Sequence, residues 1–138
     1  MKLVITIMML LTVICSTTAV ASLKECSREE AMQAETEASS LGSWDDLFVS
    51  YQRYSHCDDG AISEGYSEAV GRLLAKDWEH FGRLFELARK HKSFEKFVIH
   101  HVDETVPSEY LQEILKNTKQ HCPSNAKRFC HAIAGAAE

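Results

Sequence analysis

Between Ile62 and Leu74 the apolar residues Ile62, Tyr66, Ala69, Val70, Leu73 and Leu74 recur three and four positions apart, the spacing that lines one face of an α-helix. Cys57, Asp58, Asp59 and Gly60 stand directly ahead of it. One aspartate can cap the helix, and both carboxylates favour the positive end of its dipole. A helix with one apolar face is stable only when other elements cover that face. The rest of the chain therefore has to supply the cover, and it does so with further helices.

Ser27 and Glu30 have capping-box spacing ahead of Ala31, Met32, Ala34, Ala38 and Leu41, with Gly42 as the stop. Ser43 caps a second helix, with Asp45 and Asp46 in its first turn and Trp44, Leu47, Phe48 and Tyr51 on one face. A helix starting at Asp77 or Trp78 and ending at His91 carries Trp78, Phe81, Phe85 and Ala88 inward. Ser93 caps the next, with Phe94, Phe97, Val98 and His101 together. Pro107 and Ser108 open another bearing Tyr110, Leu111, Ile114 and Leu115, and Pro123 suits the first position of a last helix through Cys130 and Ile133. Gly65 and Gly71 each cost the long helix roughly 1 kcal/mol relative to alanine. Gly65 lies on the apolar side, which predicts close approach of a neighbouring helix. No run alternates like a strand and no linker divides the chain, so the expected fold is a single all-α domain of six or seven short helices.

The first 21 residues read as a cleaved signal peptide: Lys2, an apolar run from Leu3 to Ile14, then Ala19-Val20-Ala21. The run is about a dozen residues, short of the roughly 20 that span a bilayer. The mature domain is then 22–138, and its expected location is periplasmic or secreted. Without Lys2 it carries 14 of the 15 basic residues against 20 acidic ones, a net charge of −6 with histidines neutral. That balance disfavours nucleic acid and anionic lipid as partners and suits a basic protein.

Cys26, Cys57, Cys122 and Cys130 remain after cleavage, an even count that predicts two disulfides. If the last helix runs from Pro123 through Cys130, eight residues of it span about 12 Å, too far for a bridge between Cys122 and Cys130. The expectation is a long-range scheme, Cys57–Cys122 with Cys26–Cys130 preferred. The alternative long-range pairing stays open.

Chemistry-bearing residues gather in two places. His56, Cys57, Asp58 and Asp59 resemble a cluster, but no paired zinc spacing accompanies them, and a disulfide followed by an acidic cap accounts for them. His100, His101, Asp103 and Glu104 form the second. Adjacent histidines on a helix diverge by about 100°, so His101 reads as a packed histidine with a polar partner. His100, Asp103 and Glu104 then remain as a weak surface set. Glu64 and Glu68, one turn apart, read as a solvated acidic pair. No nucleophile elbow, P-loop, zincin motif or C-x-x-C is present, so no enzyme, cofactor or metal site is expected.

The run Cys57-Asp58-Asp59-Gly60-Ala61-Ile62, with Glu64-Gly65-Tyr66-Ser67, Phe97-Val98 and Cys122-Pro123, resembles small exported bacterial proteins of unknown function. In plan the chain is similar to the periplasmic immunity proteins that block effectors delivered by type VI secretion, which are also short, helical and disulfide-bearing. Insect odorant-binding proteins share the leader, size and helices. Their cysteine pattern, however, has an additional closely spaced pair.

The functional expectation is a non-enzymatic protein-binding module, an inhibitor or immunity factor of the cell envelope, with Asp58, Asp59, Glu64 and Tyr66 as contact residues. Tyr51, Tyr54 and Tyr66 are expected to bury their rings and expose their hydroxyls. The alternative is a carrier of a small apolar ligand, its pocket lined by Trp44, Phe48, Tyr51, Tyr54, Tyr66, Trp78, Phe81 and Phe85.

Overall fold

The computed structural model describes residues 24–138, and the expected leader, 1–21, lies outside the described residues. Seven α-helices follow one another: α1 (Arg28–Ala38), α2 (Trp44–Tyr54), α3 (Gly60–Lys76), α4 (Phe81–Lys90), α5 (Lys92–His100), α6 (Ser108–Gln120) and α7 (Lys127–Ala137). Short 3-10 turns at Ser55–Cys57, Trp78–His80 and Ser124–Ala126 lead into α3, α4 and α7. No strand occurs among the described residues, and no helix there is long and apolar enough to cross a membrane.

Local chemistry sets the first three starts. The Ser27 hydroxyl accepts from the Glu30 N–H, and the Glu30 carboxylate accepts from the Ser27 N–H, both at 3.2 Å. This is the reciprocal capping box read from the sequence. Ser43 Oγ accepts from the Asp46 N–H at 3.1 Å. Asp59 caps α3, and the chain enters the helix from that cap through Gly60 at φ +52°, a backbone conformation costly for any residue with a Cβ. Ser93 does not cap α5, which begins one residue earlier at Lys92.

The long helix α3 lies at the centre, packed chiefly on α1 and α6. Ile62, Tyr66, Ala69, Val70, Leu73 and Leu74 are all buried, as their spacing requires. The close approach expected at Gly65 is made by α1: a Cβ built on Gly65 would lie 2.8 Å from the Ala38 Cβ. At Gly71 it would lie 2.5 Å from Cγ1 of Val106, so both glycines admit neighbours that a side chain would exclude. Asn117 Nδ2 on α6 donates to the Leu74 and Ala75 carbonyls, at 3.1 and 3.3 Å, and Arg72 Nη2 donates to the Leu41 carbonyl at 2.6 Å.

The aromatics expected of a carrier pocket pack on one another and on α5. Ring centroids are 4.9 Å apart for Phe48 and Phe94, 4.8 Å for Tyr51 and Phe97, 5.1 Å for Tyr66 and Phe97, and 4.3 Å for Trp78 and Phe81. Offset and edge-on pairs of this kind stabilise a core beyond the area they bury.

The cysteine pairing corrects the expected long-range scheme. Cys26 bonds Cys57 and Cys122 bonds Cys130, with Cα separations of 5.0 and 6.2 Å. The error lay in the start of the last helix. Pro123 is extended, at φ −60° and ψ 143°, and a 3-10 turn intervenes before α7 begins at Lys127. Cys130 therefore sits in the first turn of α7, and the chain doubles back on Cys122 rather than rising 12 Å away from it.

Candidate functional site

Three consecutive residues at the head of α3 each fasten a different element. Cys57 holds the start of α1 through Cys26. Asp58 reaches the end of α5, where its Oδ2 lies 3.0 Å from Nε2 of His101. Asp59 turns back to cap α3, its Oδ1 accepting from the Gly60 N–H at 2.8 Å.

The Asp58 contact opens a buried polar chain. His101 is fully enclosed, and its Nδ1 lies 3.0 Å from Oγ of Ser67, itself buried on α3. Ser67 donates to Asp103 Oδ2 at 2.8 Å, and the other Asp103 oxygen accepts from the Thr105 N–H at 2.8 Å and its hydroxyl at 2.6 Å. The hydroxyl proton of Ser67 is committed to Asp103, and the His101 ring spans the gap between Ser67 and Asp58 with one nitrogen on each. The chain runs from Asp58 through His101 and Ser67 to Asp103, joining the head of α3, its middle, and the turn after α5.

An Asp–His–Ser series invites comparison with a hydrolase. The order of contacts is that of a catalytic triad, but a nucleophile must reach a substrate with its hydroxyl free. Here Ser67 is 1% exposed and donates to Asp103. The arrangement fastens helices.

Burial raises the Asp58 carboxyl, but the hydrogen bond and charge of His101 outweigh it and leave the group below the ordinary 3.8. Asp103 follows the same pattern: burial raises it, and the bonds from Thr105 and Ser67 together bring it below 3.8. A carboxylate whose folded value is depressed stabilises the fold above the unfolded value, and that contribution fades as pH falls through the folded one. Thermal melts should therefore hold steady from neutral pH down to about 5 and drop progressively below the ordinary carboxylate range. Asp58→Asn should melt lower at neutral pH and show a shallower acid limb; a limb as steep as the wild type's would remove Asp58 from that role.

The four expected contact residues separate in space. Asp59 and Glu64 are exposed on the outside of α3. Asp58 is turned inward, its side chain 16% exposed. Tyr66 corrects the expectation of an exposed hydroxyl: it is fully buried, its hydroxyl 3.0 Å from Ser50 Oγ and its ring 5.6 Å from that of His101. Burial pushes the Tyr66 phenol up, against the lowering effect of the Ser50 bond. Tyr54 is buried too and donates to Gln33 Oε1 at 3.1 Å, while Tyr51 is half-buried against Phe94 and Phe97. His101 does have the polar partner expected of a packed histidine. Asp103, expected on the surface with His100 and Glu104, turns inward to Ser67. Ser67 was missed, although its place beside Tyr66 in the buried half of α3 was a usable signal.

Asp77, Glu79 and His80 form the one histidine–carboxylate trio among the described residues whose donor atoms all lie within 4.8 Å of one another. It is exposed apart from half-buried Asp77, and His80 Nδ1 pairs with Asp77 Oδ1 at 2.6 Å, a bond that raises His80 above its usual value.

The solvent-facing chemistry lies elsewhere. Met32 on α1 and Val49 on α2 are the large apolar side chains left exposed among the described residues, at 61% and 42%. Exposed Glu29 and Glu35 share α1 with Met32, and Glu35 lies one turn before Ala38, the residue that meets Gly65 beside Glu64. Glu29 and Glu35 flank Met32 on α1, and Glu64 is exposed on the adjoining α3. No family model, no curated protein and no solved structure matches this chain.

Proposed function

We propose that the protein is an exported, non-enzymatic protein-binding module that acts by occupying a partner, as an inhibitor or immunity factor of the cell envelope. The observation that carries this reading is exposed Met32 on α1 with exposed Glu29 and Glu35 one turn to either side, and exposed Glu64 on the neighbouring α3, on a scaffold fixed by two disulfides. A rigid helical face with an apolar centre and charged surround binds without the ordering cost of a mobile one. Its charge selects a basic partner. The sequence of residues 1–21 and the cysteine pairs support an extracytoplasmic setting, because disulfides persist where the compartment is oxidising.

The test uses oxidised residues 22–138 as bait for envelope and secreted extracts of the source cell. The expected result is one stoichiometric basic protein, retained by the wild type and lost with Glu35→Lys/Glu64→Lys at unchanged melting temperature. Retention by the double variant, or no partner at low salt, would overturn the reading.

A further inference from the structure

Charge is unevenly spread over this acidic chain. Residues 83–96 carry five cationic and two acidic side chains, whereas the rest of the mature chain carries nine against eighteen. The folded chain brings part of that cationic stretch beside the start of α7. There α4, α5 and α7 enclose a cleft of about 200 Å³, whose walls include Phe85, Arg89, Lys92, Glu95, Arg128 and Phe129.

We propose that this cleft is a docking site for an acidic, aromatic-bearing segment of a protein partner.

The floor is apolar, formed by half-buried Phe85 and buried Phe129 with near-parallel rings 6.3 Å apart. The rim is cationic. Glu95 takes Lys92 on one carboxylate oxygen and Arg128 on the other, the latter at 3.6 Å, which orients both cations and leaves the lining positive. Arg128 is 83% exposed along its side chain, so its guanidinium still has donors to offer. Arg89 has no ion-pair partner among the described residues. Neither α5 nor α7 has a side-chain cap, and the first turn of α7 holds Lys127 and Arg128 and no acid. Cations there oppose the helix dipole, and an incoming carboxylate relieves that opposition. The first three helices, capped by Ser27, Ser43 and Asp59, have no such deficit.

Two considerations choose a peptide over other polyanions. The positive field is confined to one small cleft on a molecule of net negative charge, so a long polyanion gains there and is repelled beyond it. A phenylalanine-lined floor also rewards an apolar anchor between the carboxylates, which a bare phosphate chain lacks. This surface involves none of the residues of the acidic α1–α3 face, and the two sites can be tested apart.

The probe is a fluorescein-labelled hexapeptide of glutamates around a central phenylalanine, followed by anisotropy against oxidised residues 22–138. Saturable binding is expected, weakening on the order of tenfold when salt rises from about 50 to 300 mM. Arg89→Glu/Arg128→Glu should weaken it by at least about tenfold with an unchanged circular dichroism spectrum, and Glu35→Lys/Glu64→Lys should bind undiminished. Where the double reversal melts low, Arg89→Gln alone should still weaken binding, by about threefold. The proposal is overturned if the peptide does not bind saturably, if a glutamine-for-glutamate peptide binds as well, or if the reversal leaves affinity intact. Preferential binding of phosphatidylglycerol vesicles or single-stranded DNA over the peptide also overturns it.

Discussion

Replacing His101 by leucine should destabilise the fold by about 3–5 kcal/mol, the cost of leaving the largely buried Asp58 carboxylate and the Ser67 hydroxyl without the partner they share. Two partners lose their support at once. Asp58 Oδ2 loses Nε2, and Ser67, still donating to Asp103, loses Nδ1 at 3.0 Å. Leucine fills a similar volume, so the loss reflects charge and hydrogen bonding rather than a cavity. In a domain of this size each kcal/mol moves the melting temperature by about 3–6 °C, giving an expected fall on the order of 10–20 °C. Urea titration at pH 7 reads the free energy directly. A double-mutant cycle of Asp58→Asn and His101→Gln should show coupling of about 1–3 kcal/mol. A change below about 1 kcal/mol in His101→Leu would mean that Asp58 and Ser67 find other partners.

The second large effect concerns the Cys26–Cys57 bridge. Chain entropy over a separation of 31 residues assigns it about 3–4 kcal/mol, against about 2.5 kcal/mol for the eight-residue Cys122–Cys130 loop. What each bridge holds widens the difference. The buried residues of α1 are Ala34 and Ala38, with little apolar area, whereas α7 keeps Phe129, Ile133 and Ala137 buried on its own face. Cys26→Ser/Cys57→Ser should therefore release α1 ahead of global unfolding, with amide exchange protection lost over residues 31–38 and retained over α3 and α6. Cys122→Ser/Cys130→Ser should lower the melting temperature with α7 still protected. Equal protection of α1 in both variants would show that Ala38 on Gly65 suffices to dock it.

Local chemistry was readable in the sequence. The capping box at Ser27 and Glu30, the Ser43 cap and the apolar stripe of α3 depend on residues within a turn or two of one another, and each stands where the spacing put it. The stripe even contained the correction for Tyr66: four residues after Ile62, it faces inward, and the phenol is satisfied because Ser50 on α2 meets it there. Partners across the fold were not readable. Ser67, His101 and Asp58 lie 34 and 43 positions apart in their hydrogen-bonded pairs, and only the tertiary fold brings them together. The cysteine scheme failed on a boundary. A Pro123 helix start and a Lys127 helix start differ by four residues, yet they place Cys130 on opposite sides of the reach of a disulfide.

Within residues 22–138 each cysteine pairs with its nearest neighbour in sequence, which bears on how the chain matures. If the chain is exported as proposed, delivery N-terminus first into an oxidising compartment would expose Cys26 and then Cys57 while Cys122 is still in the export channel. An oxidase that joins thiols in order of arrival then makes the native bond by default, and the second pair emerges with no competing thiol left. Interleaved bridges would instead need an isomerase to undo early mistakes. This chain can acquire its covalent framework in a single pass, without proofreading.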